Sequence, residues 1–131
     1  MTIATKEIQI KNTVKQVWNT VTDLKNYEWR SDISRIDIVN EKTFVEYSNE
    51  NIATRFTITA FEVGKRYAFT IENSNMRGKW EGTFKKDGEY VLFTCTEDVE
   101  AKRFFMKPFI KKFLKLQQER YAMDLLQALE Q

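Results

Sequence analysis

Hydrophobic and polar positions alternate with a period of two through most of the chain, and follow a helical period in the remainder. Residues 2–10 alternate near their end, which predicts a first strand. Thr13 followed three residues later by Gln16 is a capping-box pattern, so a helix is predicted to begin there. Asp23 is a second candidate N-cap. We therefore expect two short helices in tandem over residues 13–31.

From residue 34 to 97 six consecutive segments carry apolar side chains at every second position, with short polar turns between them. This pattern is typical of antiparallel strands with one apolar face. Asp87-Gly88 is the strongest hairpin signal, because the central positions of a tight two-residue turn need positive φ. Phe61 and Val63 fall on the opposite phase from their neighbours, which predicts a bulge near residues 60–63.

The C-terminal segment changes back to a helical period. Residues 102–131 contain no Gly, and Pro108 suits the first turn of a long helix. Its main apolar stripe is Ile110, Leu114, Gln117, Tyr121, Leu125 and Ala128. Phe109, Phe113 and Leu116 lie beside that stripe, so the apolar arc is wider than a surface helix needs. The extra width favours pocket lining, with a dimer face or a membrane-facing lid as alternatives.

The order of elements predicts one α+β domain over residues 1–131. A seven-stranded antiparallel sheet curls around the long C-terminal helix, and two short helices lie between strands 1 and 2. One helix is about 10 Å wide, whereas seven strands spaced about 4.8 Å apart span far more. The helix cannot cover the apolar face of such a sheet. A cavity between sheet and helix is therefore expected.

Composition excludes several kinds of site. The chain has no His and one Cys, which removes His-based triads, the usual zinc sites and internal disulfides. We expect no catalytic residue set, metal or cofactor, and an inert Cys95, because no imidazole is present to lower its pKa. No apolar run has the length of a spanning helix and no signal peptide is recognisable. A cytoplasmic protein without a nucleic-acid partner is expected.

Charge is uneven along the chain. Residues 101–120 contain seven basic side chains and only one acidic one, Glu119. The basic residues are Lys102, Arg103, Lys107, Lys111, Lys112, Lys115 and Arg120. They form either a solvated helix face or a weak contact with a membrane surface. A monomer and a homodimer are both compatible with the sequence.

Three segments carry a family resemblance. Thr13-Val14-Lys15-Gln16-Val17-Trp18, the run Thr22 to Trp29 (TDLKNYEW) and the tail from Lys107 to Leu129 resemble the START/polyketide cyclase superfamily, which includes birch-pollen-allergen-like proteins. The resemblance implies a helix-grip fold over almost the whole chain. It also implies a hydrophobic ligand, although these motifs are structural and carry little information on substrate.

Strand phase and the helix flank give the candidate ligand-binding residues. They are Tyr47, Phe56, Ile58, Tyr67, Phe69, Trp80, Phe93, Cys95, Glu97, Phe109 and Phe113. Glu97 is the one carboxylate whose phase directs it to the apolar face. It is either a polar handle for a ligand hydroxyl or amine, or a side chain at a frayed strand end that reaches water.

Three functions fit these observations. The first is a carrier or sensor that binds a hydrophobic small molecule, such as a lipid or a polyketide-like compound, between the sheet and the C-terminal helix. The second is an enzyme of the polyketide cyclase/dehydratase type, which the resemblance implies and which positioning plus Tyr, Arg or Glu chemistry could serve. The third is a protein-interaction module of the same fold.

Overall fold

Seven strands form one antiparallel sheet in the computed structural model, which describes residues 1–130. In chain order the elements are β1 (Thr2–Ile10), α1 (Val14–Thr22), β2 (Ile33–Ile38), β3 (Thr43–Ser48), β4 (Ala53–Glu62), β5 (Arg66–Glu72), β6 (Met76–Asp87), β7 (Tyr90–Ala101), a 3-10 segment (Phe104–Phe109) and α2 (Ile110–Leu129). The strand order across the sheet is β1-β7-β6-β5-β4-β3-β2. The predicted α+β fold, a meander with a long C-terminal helix, is confirmed.

The helical region after β1 contains one helix, where the sequence predicted two. The first begins as predicted, because the Thr13 hydroxyl accepts a hydrogen bond from the Gln16 backbone N–H at 3.2 Å. The predicted second helix is absent. The Asp23 carboxylate instead accepts hydrogen bonds from the backbone N–H groups of Lys25 and Asn26. An Asp side chain bonded in this way stabilises a turn as readily as a helix start, and residues 23–32 form turns.

Two local irregularities shape the sheet. The register between β4 and β5 shifts between Ile58 and Ala60, close to the bulge predicted from residues 60–63. The β6–β7 hairpin lies one residue later than predicted, since Asp87 pairs with Tyr90 and the connecting residues are Gly88 and Glu89. Gly88 has a φ of 64°, which suits the first central position of a tight hairpin turn.

The position of α2 decides where the core ends and the cavity begins. The helix packs mainly on β1 and also on β7. Its buried residues are Ile110, Leu114, Gln118, Ala122 and Leu125. Gln117 and Ala128, which the sequence placed on the core stripe, are exposed, because the contact with β1 follows the row that contains Gln118. The helix thus lies over one side of the sheet and leaves the face of β3 to β6 free.

Candidate functional site

A cavity of about 550 Å³ lies between the inner face of the sheet, the loop before β2 and the N-terminal half of α2. Its floor is a row of aromatic rings contributed by four adjacent strands, namely Phe44, Phe56, Phe69 and Trp80. The centroids of neighbouring rings are 4.9, 5.0 and 4.7 Å apart. Such a floor offers a ligand a continuous apolar, π-rich surface.

Gly82 allows the last ring of this row to lie flat. A Cβ atom at Gly82 would stand 2.6 Å from the tip of the Trp80 indole and 2.8 Å from the Phe93 ring. Because that atom is missing, the indole lies over Gly82 and stacks on Phe69 with an interplanar angle of 3°. The glycine therefore sets the orientation of the ring that borders the polar end of the cavity.

A salt-bridge cluster forms one wall. The Arg30 guanidinium donates to Asp32 through Nε at 3.0 Å and Nη2 at 2.9 Å, and to Glu46 through Nη1 and Nη2 at 3.3 Å each. Burial opposes the charge of Arg30, but Glu46 and Asp32 more than offset it, and the pKa of Arg30 is raised. Burial likewise opposes ionisation of Asp32, yet hydrogen bonding to Arg30 lowers its pKa.

Glu97 is the second polar feature of the cavity. It lies on β7 opposite Trp80 on β6, and it is buried with 7% of its surface exposed. Its Oε1 accepts a hydrogen bond of 3.2 Å from the Gln118 amide, which also donates to the Ala4 carbonyl at 3.0 Å. Burial raises the pKa of Glu97 to about 7, although Gln118 and Arg30 favour the ionised form.

Two phenols and a thiol share the cavity wall with this carboxylate. Burial raises the pKa of Tyr67 and of Tyr121 well above the usual value, so both hydroxyls stay protonated. Neither hydroxyl forms a hydrogen bond with another side chain or backbone group in residues 1–130. Burial and the neighbouring Glu97 raise the pKa of Cys95 to about 12, which keeps the thiol protonated and unreactive.

Eight of the predicted site residues lie together in the cavity wall. They are Phe56, Tyr67, Phe69, Trp80, Cys95, Glu97, Phe109 and Phe113. The structure does not place Tyr47, Ile58 or Phe93 there. Phe93 belongs to the closed core with no exposed surface, and Ile58 packs against the same core. Whether the eight contact a ligand remains a prediction.

The phase of β3 is opposite to the one predicted. Phe44 and Val45 are adjacent, so the sequence offers an apolar residue on both phases. Phe44 occupies the inner face of the sheet, because it stacks on Phe56. Tyr47 consequently lies outside the cavity, where the Arg35 guanidinium covers its ring at 3.8 Å from the centroid. The same reversal turns Glu46, predicted to face outward, into the cavity.

Sequence reasoning did not select Arg30, Asp32, Glu46, Gln118 or Tyr121 as site residues. Arg30 lies in the turn region that was predicted to be helical, and Asp32 follows the end of that region. Whether Glu46 faces the cavity depended on the phase of β3. Whether Gln118 faces the sheet depended on the exact rotation of α2. The signal that could have found Tyr121 is its place on the predicted apolar stripe, since a buried Tyr needs a partner for its hydroxyl.

Exposed apolar side chains mark the opening of the cavity. Phe109, Phe113 and Leu116 line it and are 66%, 42% and 61% exposed. Beside them Phe104 and Phe105, on the 3-10 segment, are 84% and 67% exposed. We call these five residues the aromatic rim. The basic side chains of residues 102–115 surround it, and no lysine lines the cavity as far as the structure describes the chain.

The sequence matches the family model described as polyketide cyclase / dehydrase and lipid transport over residues 1–130. The chain belongs to this family. The predicted START/polyketide cyclase relationship is thereby confirmed, and membership supports a hydrophobic-ligand-binding or cyclase-type role. No curated protein sequence matches the chain.

Solved structures share the fold at low sequence identity. A START superfamily protein from Mycobacterium smegmatis is 14% identical, with a TM-score of 0.89 over 98% of this chain and 97% of its own. The Zhui aromatase/cyclase from Streptomyces sp. R1128 is 10% identical, with a TM-score of 0.88 over 98% and 93%. A conserved protein from Geobacillus kaustophilus is 12% identical, with a TM-score of 0.85 over 98% and 95%.

Within residues 1–130, no helix is long and apolar enough to cross a membrane. No group of three or more Cys, Asp or Glu side chains in that range is arranged to hold a metal ion.

Proposed function

We propose that this protein is a carrier or sensor that binds a hydrophobic small molecule in the cavity between the sheet and α2. The observation that carries the proposal is the cavity itself, with about 550 Å³ of space over a row of four aromatic rings. That volume suits a small organic ligand, and an apolar wall with a few polar groups is the usual construction of such sites. Family membership supports the same role.

Substitution at the opening tests this proposal. Phe113 lines the cavity and is 42% exposed, so an Asp at this position keeps contact with water and leaves the fold intact. Phe113→Asp should weaken the binding of a naphthalene-based fluorescent probe about tenfold, because a charge at the entrance raises the cost of apolar binding. Fluorescence titration measures the affinity, and circular dichroism checks the fold.

Phe104→Asp is the matched control, since Phe104 belongs to the same rim but does not line the cavity. It should leave probe affinity unchanged. Equal losses in the two variants would place the probe on the rim instead of in the cavity. If neither the probe nor a panel of lipids, sterols and polyphenols binds the wild-type protein, the carrier function is wrong.

A cyclase/dehydratase-type enzyme is the second candidate, and Glu97 is the observation that favours it. A buried carboxyl with a pKa of about 7 can exchange a proton near neutral pH, as a general acid or base must. The fate of a bound ligand separates the two functions. A carrier returns the molecule unchanged in mass, whereas an enzyme converts many molecules per protein, which chromatography with mass spectrometry detects.

The aromatic rim supports a further part of the proposal, a weak contact with anionic membrane surfaces. Five large apolar side chains are exposed next to six Lys or Arg residues between positions 102 and 115. Apolar side chains insert between headgroups while basic ones attract anionic lipids, which is the pattern of interfacial segments. Because the rim surrounds the cavity opening, this contact would bring the opening to the lipid from which an apolar ligand arrives.

A further inference from the structure

The charged side chains inside the cavity are mostly acidic, in contrast to the basic surface around its opening. The charged residues that line it are Asp23, Arg30, Asp32, Glu46, Glu50, Glu97 and Arg120. The cavity wall thus contains five carboxyl groups and two guanidinium groups. The cavity interior and the basic surface outside therefore favour ions of opposite sign.

The two guanidinium groups are already engaged. Arg30 donates four hydrogen bonds to Asp32 and Glu46, which leaves one of its five N–H donors for a ligand. Arg120 donates through Nε and Nη2 to Ser31. An anionic ligand could use only the remaining N–H donors, and at Arg30 it would face the carboxylates of Asp32 and Glu46.

Glu97 remains incompletely paired. Its one hydrogen bond within residues 1–130 comes from a neutral amide, Gln118, to Oε1. Oε2 accepts none in that range, and Glu97 lines the cavity. Arg30 favours the charged form of Glu97 but forms its ion pairs with Asp32 and Glu46. A buried carboxylate without a directly bonded cation is costly.

Aromatic residues share the cavity wall with this carboxylate. Trp80 is its cross-strand neighbour, and the Tyr67 and Trp80 centroids are 6.0 Å apart. Tyr121 completes this end of the cavity from α2. Electron-rich ring faces and a carboxylate in one cavity are the chemistry that recognises organic ammonium ions.

From this arrangement we propose that the cavity selects an apolar molecule carrying a protonated amine, which pairs with Glu97 and contacts the rings of Trp80, Tyr67 and Tyr121. The inference rests on the proposed function, because it names the ligand class of the same cavity. The cavity lining thus favours a cationic ligand, in contrast to the basic side chains outside the opening.

The test compares three probes that share one ring system: naphthylethylamine, naphthylethanol and naphthylacetate. Isothermal titration calorimetry of the wild-type protein at neutral pH should give the tightest binding for the amine, about tenfold tighter than the alcohol, with the acetate weakest. Binding of the acetate as tight as, or tighter than, that of the amine would overturn the proposal. Failure of all three probes to bind would contradict the carrier function itself.

Substitutions on β7 test whether Glu97 supplies the negative charge that pairs with the amine. Glu97→Gln should abolish the preference for the amine over the alcohol, and circular dichroism checks that the variant is folded. Glu100→Gln, on the same strand but paired with Arg77 outside the cavity, should keep the preference. A preference that survives Glu97→Gln would also overturn the proposal.

Amine and alcohol affinities of the wild-type protein, measured as a function of pH, test the pairing of the amine with Glu97 without a substitution. The titratable groups that line the cavity with Glu97 are Asp23, Tyr27, Arg30, Asp32, Glu46, Glu50, Tyr67, Cys95, Arg120 and Tyr121. Among those with a resolved shift, Tyr67, Cys95 and Tyr121 stay neutral and Arg30 and Asp32 stay charged near pH 7. Amine affinity should therefore rise between about pH 5 and about pH 8, as Glu97 ionises, while alcohol affinity does not. A flat amine profile contradicts pairing with Glu97.

Discussion

Glu97 combines burial with incomplete pairing, and its titration follows from that combination. Its carboxyl is 7% exposed, and its partner Gln118 supplies a neutral donor. Desolvation therefore dominates, and the pKa rises from 4.5 to about 7. Between those two values the folded protein holds a proton that the unfolded chain has lost. The contribution of this proton to the free energy of unfolding is fully present below about pH 4.5, and it is lost as the pH rises through about 7.

Glu97→Gln should remove this dependence. The variant keeps an oxygen that can accept from Gln118, but it has no charge to desolvate. It should match wild type near pH 4 and be more stable near pH 8 by roughly 3 kcal/mol, the equivalent of the shift. Urea denaturation across that pH range measures the difference, with Glu100→Gln as the control. Wild type and Glu97→Gln curves that run parallel from about pH 4 to about pH 8 would show that Glu97 is solvated.

At the residue scale the sequence could predict Glu97 and its neighbours on β5 to β7, but not the charged groups in the same cavity. β7 alternates regularly from Val91 to Glu97, so its phase could be read directly. β3 carries apolar residues on both phases, and only the stacking of Phe44 on Phe56 decides between them. Arg30 and Asp32 reach the cavity from turns whose course depends on tertiary contacts, which no local pattern encodes.

Among the elements, the 3-10 segment and the start of α2 are distinctive because they leave apolar side chains in water. The 3-10 segment has no buried residue. The sequence predicted the wide apolar arc of α2, including Phe109 and Phe113, and left pocket, dimer and membrane as alternatives. The structure assigns the inner part of that arc to the cavity wall, and Phe104 and Phe105 remain outside.

Vesicle binding tests the role of this rim. The double variant Phe104→Ser, Phe105→Ser should bind vesicles of phosphatidylserine and phosphatidylcholine at least about fivefold more weakly than wild type, because it loses apolar insertion. Val63→Ser, a change at an equally exposed apolar residue away from the rim, should have no effect. Sedimentation with vesicles gives the bound fraction, and added salt should reduce it.

Two outcomes contradict the proposed contact with anionic membrane surfaces. Equal binding of the wild-type protein to vesicles of phosphatidylcholine alone would show that the basic residues contribute nothing. Concentration-dependent dimerisation in analytical ultracentrifugation that the double variant abolishes, without vesicle binding, would identify the rim as an interface between two copies of the chain.

At the scale of the whole molecule, the cavity results from covering a wide sheet with a single helix. Counting elements was enough to predict it, because seven strands span far more than the width of one helix. The number of strands and helices could not show which half of the sheet α2 leaves uncovered. That depends on the contact of α2 with β1 and β7, which Gln118 anchors through the Ala4 carbonyl.

Nuclear Overhauser effects between a bound naphthalene probe and the protein test the cavity most directly. Naphthylethanol is suitable because it carries no charge, so its binding does not require an ion pair with Glu97. The account predicts contacts from the probe's ring protons to Phe69, Trp80 and Tyr121, which line the interior. Contacts confined to Phe104 and Phe105 at saturating probe, with none to these three rings, would contradict it.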